Sequence, residues 1–155
     1  MAEESGLKWE GKSAIEVAGT GPEVAWAALE DFCNVHKLIP IDTCYQAEGV
    51  VGQPGLVRYC ANAVKGVADT TTILWVKEKL LAIDPVQHCL SYEITENNMG
   101  FKSYVTTLKV LPDRDGCKIE WGFVSDPVEG WSFQDLVAYV QSSLQSMAEK
   151  IQLAH

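Results

Sequence analysis

The sequence predicts an α+β fold in which a curved antiparallel sheet of seven strands surrounds a long C-terminal helix, with two short helices after strand 1. Three observations support this: an alternating segment near the start, six strand-like segments separated by turn residues, and an amphipathic stripe at the end. The terminal helix is the only predicted element long enough to cover an apolar sheet face. A strongly curved sheet leaves a void beside that helix, where a small molecule can bind.

The first strand and the helical pair come from residues 7–40. Apolar and polar residues alternate over 7–17, which is typical of a half-buried strand. Thr20 and Glu23 have the spacing of a capping box, and Pro22 stands near the first helical position. Apolar residues then recur every three or four positions until Pro40, with a break expected near 31–34.

Six further strands follow, each bounded by glycine, proline, asparagine or aspartate residues. Because the links are short, the strands are expected to form an antiparallel meander. The predicted ranges are 41–48, 55–64, 67–80, 87–96, 101–111 and 116–124.

The strongest helix prediction covers residues 132–153. Apolar residues recur there in steps of three and four, which places them on one helix face. They are Phe133, Val137, Val140, Leu144, Met147 and Ile151. Ser132 and Asp135 resemble a capping box at the start. Trp131, just before the helix, is interpreted as a packing residue.

Length and charge limit the classes of function. A chain of 155 residues suits a single domain over 1–155, with 1–6 as a flexible tail. The net charge of −9, without a basic cluster, disfavours nucleic acid as a partner. No apolar run is long enough for membrane insertion, and the start lacks a signal peptide pattern. The protein is therefore expected to be cytoplasmic.

The five cysteines are spread along the chain without CxxC spacing, and the histidines stand alone. This pattern predicts reduced thiols and no metal site.

Two charged residues interrupt the apolar pattern of their strands. Arg58 shares a strand face with Leu56 and Cys60, and Glu78 shares one with Val76 and Leu80. A charge on an inner face costs several kcal/mol unless it is paired or hydrated. The two residues can pair across strands inside a pocket, or they can lie near strand ends as a surface salt bridge. Tyr92 and Tyr104 can likewise be interpreted either as pocket residues or as ordinary core aromatics.

Several strings resemble one known family over about residues 8–153. They are KWEGK from Lys8, PEVAWAALEDFCNVHKLIP from Pro22, GLVRY from Gly55, WVKEKLLAID from Trp75 and VEGW from Val128. They resemble the plant lachrymatory factor synthases and their relatives, a group within the START/Bet v 1 helix-grip superfamily, which includes the polyketide cyclase-like proteins.

The resemblance implies roles for six residues. The family's catalytic arginine and glutamate match Arg58 and Glu78, and its pocket aromatics match Tyr92, Tyr104 and Trp121. Leu74 stands where the family has an aromatic residue, and Thr70–Thr72 replace an acidic run, so a pocket of different size and polarity is expected.

The implied activity is a cofactor-independent isomerase or lyase reaction that converts an unsaturated sulfenic acid to a thial S-oxide. Arg58 would stabilise the oxyanion and Glu78 would move the proton. The alternative is a non-catalytic carrier or sensor, because this fold includes many binding proteins. Either way the expected partner is a small apolar or sulfur-containing metabolite, and the oligomeric state is left open. The gate and latch motifs of the superfamily's hormone receptors are absent.

Overall fold

The computed structural model describes residues 7–154, so the predicted tail at 1–6 lies outside the described residues. Within that range seven strands form one antiparallel sheet in the order β1-β7-β6-β5-β4-β3-β2. The bounds are β1 Trp9–Val17, β2 Thr43–Glu48, β3 Val57–Lys65, β4 Thr71–Asp84, β5 Cys89–Asn97, β6 Tyr104–Asp113 and β7 Gly116–Ser125. The predicted meander is confirmed, with β1 paired to β7 along its whole length.

Helix α1 spans Pro22–Glu30, a 3₁₀ helix spans Phe32–Lys37, and the long helix α2 spans Phe133–Ala154. The predicted break in the helical pair is present, and Asp31 lies between the two helices. The predicted capping box at Thr20 is wrong. Gly21 is the N-cap residue and no side chain caps the helix, while Thr20 is buried. A glycine N-cap costs little relative to a polar one.

The capping box at the start of α2 is confirmed. The Ser132 backbone N–H donates to Asp135 Oδ2 at 2.8 Å, and the Asp135 N–H donates to Ser132 Oγ at 3.0 Å. The pair satisfies two backbone donors and fixes where the helix begins. Residues of the predicted stripe, including Val140, Leu144 and Met147, are buried against the sheet. In the part of the chain that the structure describes, no helix is both long and apolar enough to cross a bilayer.

Strand β4 differs most from its prediction. It begins at Thr71 rather than 67, after a short 3₁₀ turn at Val67–Asp69, and continues to Asp84 rather than 80. The β4–β5 register shifts between Lys77 and Glu78, and again between Leu80 and Ala82. A bulge breaks the two-residue alternation and bends the strand. The second shift explains why strict alternation ended the predicted strand too early.

Candidate functional site

An internal cavity lies between the concave face of the sheet, the 3₁₀ helix and α2, and it has two lobes. We call the smaller one, of about 50 Å³, the arginine lobe and the larger one, of about 150 Å³, the tryptophan lobe. Residues specific to the arginine lobe include Phe32, Val35, Arg58, Leu90, Leu108 and Met147. Those specific to the tryptophan lobe include Leu74, Ile94, Phe101, Tyr104, Trp131 and Leu136. Residues that line both include Cys60, Val76, Glu78, Tyr92, Trp121 and Tyr139.

Arg58 and Glu78 are direct cross-strand partners on β3 and β4. Arg58 Nε donates to Glu78 Oε1 at 2.8 Å, and the two side chains are only 5% and 12% exposed. The surface salt bridge considered from the sequence is therefore not what the structure shows. The extra residue in the β4–β5 pairing beside Glu78 is Thr95 on β5, so β4 keeps its alternation there and Glu78 shares the cavity face with Val76.

The buried guanidinium of Arg58 has further partners. Its Nη1 donates to the backbone oxygen of Phe32 at 2.8 Å. Its central carbon lies 3.9 Å from the ring centroid of Phe32 and 4.7 Å from that of Tyr92. Each such cation–π contact is worth about 0.5–2 kcal/mol. These contacts offset part of the cost of burying the charge.

The pKa of Arg58 is raised above its ordinary value. Burial alone lowers this pKa, but the Glu78 carboxylate, to which the guanidinium donates a hydrogen bond, more than compensates. The residue therefore stays cationic at any physiological pH. This makes it a fixed positive charge inside an apolar cavity.

The pair keeps unused hydrogen-bonding atoms. Among the described residues, the hydrogen bonds of Arg58 involve Nε and Nη1, and Glu78 accepts its bond through Oε1. Arg58 Nη2 and Glu78 Oε2 have no partner of that kind. A donor that stabilises negative charge and a carboxylate oxygen that accepts a proton are thus both available within one site.

The tyrosines of the cavity are held neutral. Burial raises the pKa of Tyr92 well above its ordinary value, and the nearby Glu78 carboxylate raises it further. Burial also raises the pKa of Tyr104. The Trp121 indole N–H donates to the Tyr104 hydroxyl at 3.3 Å. Both tyrosines can therefore donate hydrogen bonds to a ligand.

All six residues singled out from the sequence lie around the cavity: Arg58, Leu74, Glu78, Tyr92, Tyr104 and Trp121. What each does there stays a prediction. The interpretation of Trp131 as a packing residue is incomplete, because it lines the tryptophan lobe while its ring packs edge-on against Phe101 and Tyr139.

Two of the cavity residues that were not identified from the sequence bear directly on the site. Phe32 supports Arg58 from the 3₁₀ helix, and Tyr139 of α2 lines both lobes. Tyr139 lies three residues after Leu136 and four before Ser143, and both of these residues are buried. The spacing places all three in a second row on the helix, beside the apolar stripe. This row is the sequence pattern that could have identified Tyr139. Across residues 7–154 no group of three or more His, Cys, Asp or Glu side chains is placed to hold a metal ion.

Comparison with known proteins gives one family match and a set of structural likenesses. Residues 8–153 match the family described as polyketide cyclase / dehydrase and lipid transport. Major latex-like protein 151 from Panax ginseng shares 20% identity and a TM-score of 0.75, over 97% of this chain and 99% of that one. Ara h 8.0201 shares 19% identity and a TM-score of 0.74, over 96% and 100%. XoxI from Bacillus cereus shares 20% identity and a TM-score of 0.71, over 94% of each chain. At these identities the likenesses establish the fold.

Proposed function

Because the chain belongs to the polyketide cyclase / dehydrase and lipid transport family, we propose that its cavity binds a small, largely apolar metabolite and isomerises it by proton transfer without a cofactor. The substrate class we propose is an unsaturated sulfenic acid or a related reactive molecule, as in the lachrymatory factor synthases that the sequence resembles. The observation that supports this most is the pair of unused atoms, Arg58 Nη2 and Glu78 Oε2, in a buried ion pair that lines the cavity.

The size of the cavity favours a small substrate. A cavity of about 150 Å³ holds a molecule about as large as benzene, whereas drug-sized ligands occupy pockets of about 300–1,000 Å³. A three-carbon sulfenic acid fits this volume, and a polycyclic lipid does not. The apolar walls of the tryptophan lobe would surround the hydrocarbon part, and the sulfenic oxygen would face Arg58.

The reaction then needs one base and one cation. Glu78 would remove the proton from the sulfenic hydroxyl, and Arg58 would stabilise the resulting oxyanion. The same proton would return to the alkene carbon farther from sulfur while the double bond moves to the carbon–sulfur bond. One O–H bond breaks and one C–H bond forms, so the product is an isomer of the substrate. Tyr104 would donate a hydrogen bond that orients the substrate.

The direct experiment is to supply the purified protein with 1-propenesulfenic acid generated by alliinase and to measure the thial S-oxide formed. We expect wild-type protein to increase the yield well above the protein-free reaction. Leu74→Trp would fill the tryptophan lobe and should lower turnover at least about tenfold, since an overfilled site excludes its ligand. Ile73→Trp is the matched control, because Ile73 is 47% exposed and its side chain lies on the opposite face of the sheet from that of Leu74.

No increase in yield with wild-type protein would refute this substrate. If the wild type nevertheless bound small apolar sulfoxides in a manner that Leu74→Trp abolishes, the protein would be a carrier or sensor rather than an enzyme. Equal turnover by the two tryptophan variants would show that the tryptophan lobe is not the reaction site. A cytosolic location, with its reducing conditions, is part of the proposal.

A further inference from the structure

Two of the free cysteines face each other across neighbouring strands. Cys44 on β2 and Cys60 on β3 are directly paired residues, and their Sγ atoms are 3.6 Å apart. Opposed residues in an antiparallel pair have Cα atoms about 4.5–5.5 Å apart, which lies within the range that a disulfide spans. An S–S bond of about 2.05 Å therefore needs only a side-chain rotation that brings the sulfur atoms closer, without movement of either strand.

The surroundings of Cys44 favour its thiolate. The Cys60 thiol, which donates toward Cys44 Sγ, has the largest effect and lowers the pKa of Cys44; burial opposes this, and His36, Arg58 and the Val35 backbone lower the pKa further. Against these effects, the Cys44 thiol donates to the Cys33 backbone oxygen at 3.2 Å, a bond that only the protonated form makes. The His36 Nδ1 atom is buried and has no hydrogen-bond partner among the described residues. An imidazole beside a thiol is an arrangement that activates cysteine.

Cys60 connects this pair with the cavity. Its side chain lines both lobes and the residue is 5% exposed, so its thiol is part of the cavity wall beside Arg58 and Glu78. Cys44 is half-buried at the outer side of the same pair. The half-buried Cys44 is thus the thiol that a small peroxide reaches first, and the buried Cys60 is positioned to react with it next. That is the usual arrangement of an attacking and a resolving cysteine.

We propose that Cys44 and Cys60 form a reversible oxidation site for small hydroperoxides, closing to a disulfide in the cavity wall. The Cys44 thiolate attacks one peroxide oxygen, the O–O bond breaks, and Cys44 becomes a sulfenic acid while hydroxide leaves. The Cys60 thiol then attacks the Cys44 sulfur, so that the S–S bond forms and water leaves. Overall two thiols lose two electrons and two protons, and hydrogen peroxide is reduced to two waters. Thiols reverse the reaction by exchange.

The disulfide would change the cavity and not only the surface. It would convert Cys60 from a hydrogen-bond donor into part of a covalent bridge next to Arg58, and it would join β2 to β3. The adjoining pairs Tyr45–Tyr59 and Gln46–Arg58 are in register with the cysteines. Oxidation would therefore fix the edge strand against the strand that bears Arg58. This inference does not depend on the reaction proposed above, because oxidation is read out without substrate.

The test is to treat the reduced, full-length protein with a small excess of hydrogen peroxide at neutral pH and to map its thiols by mass spectrometry. We expect the intact mass to fall by two hydrogen atoms. Trypsin cleaves after Lys37, Arg58 and Lys65, so peptides 38–58 and 59–65 should appear joined by a bond that dithiothreitol breaks. A protein with Cys89→Ser should give the same link. Cys60→Ser should instead leave Cys44 as a trappable sulfenic acid.

The proposal is overturned if wild-type Cys44 and Cys60 both remain thiols under these conditions or oxidise to sulfinic acid without a link. A link between peptide 13–37, which contains Cys33, and peptide 38–58 would also overturn it. Because the decisive measurement is the peptide link in the wild-type protein, a folding defect in a serine variant would not affect the conclusion.

Discussion

Replacing Arg58 with methionine is expected to lower the free energy of unfolding by about 3–5 kcal/mol, as removing one partner of a buried ion pair usually does. The variant leaves the Glu78 carboxylate, whose side chain is 12% exposed, without its cationic partner in an apolar cavity. It also removes the hydrogen bond to the Phe32 backbone oxygen and the contacts with the Phe32 and Tyr92 rings. Urea denaturation followed by far-UV circular dichroism measures this loss.

The double variant Arg58→Met, Glu78→Leu separates the charge effect from packing. With both charges replaced, the unfolding free energy should recover most of what the single variant lost, because no unpaired charge is then buried. Lys12→Met is the control, since the Lys12–Glu120 pair is 3.6 Å apart with Lys12 65% exposed. It should cost less than about 1 kcal/mol. Equal losses in the single and double Arg58 variants would contradict a buried, energetically coupled pair.

Replacing Glu78 with glutamine should lower turnover of 1-propenesulfenic acid by about 10²–10⁴-fold, the usual contribution of a positioned acid or base. Glutamine keeps the shape of the side chain and an oxygen that can accept the bond from Arg58 Nε, but it cannot take up a proton. Substrate-analogue affinity should therefore change far less than the turnover rate. Measuring both quantities on one preparation tests this directly.

The matched control for this variant is Glu93→Gln. Glu93 is opposite Lys79 in the sheet and forms an exposed pair with it at 3.9 Å, so turnover should remain at the wild-type level. If Glu78→Gln were as active as wild type while the ligand still bound, Glu78 would not be the base. The reaction would then need another proton acceptor in the cavity.

The residues of the site that could be predicted are those that violate a pattern. Arg58 and Glu78 were detectable because a charge among alternating aliphatic residues is costly and needs an explanation. Phe32 and Tyr139 violate nothing, since an aromatic residue in an apolar helical row looks the same whether it packs in a core or lines a cavity. The pocket itself is a void, and its volume depends on packing that periodicity does not describe.

The fold was predictable for a related reason. Strand alternation, turn residues and the stripe of α2 are local signals, and they predicted the confirmed sheet and helix to within a few residues. The C-terminal end of β4 was not predictable, because the register shift between Leu80 and Ala82 depends on the pairing with β5. The contact between Cys44 and Cys60 was invisible for the same reason: it requires the β2–β3 register, which the sequence of either strand alone does not contain.

The proposed function depends most on Arg58 contacting the ligand inside the cavity, and NMR can observe the Arg58 side chain directly. The Arg58 Nε–H group is buried and hydrogen-bonded to Glu78, so its proton should exchange slowly enough to give a resolved signal. Titration with propane-1-sulfinate, a stable anion of similar size to the proposed substrate, should shift this signal in a saturable manner, together with the indole N–H signal of Trp121. A titration in which the Arg58 signal does not move, whether or not other signals do, would contradict the proposal that the charged pair is the polar end of the binding site.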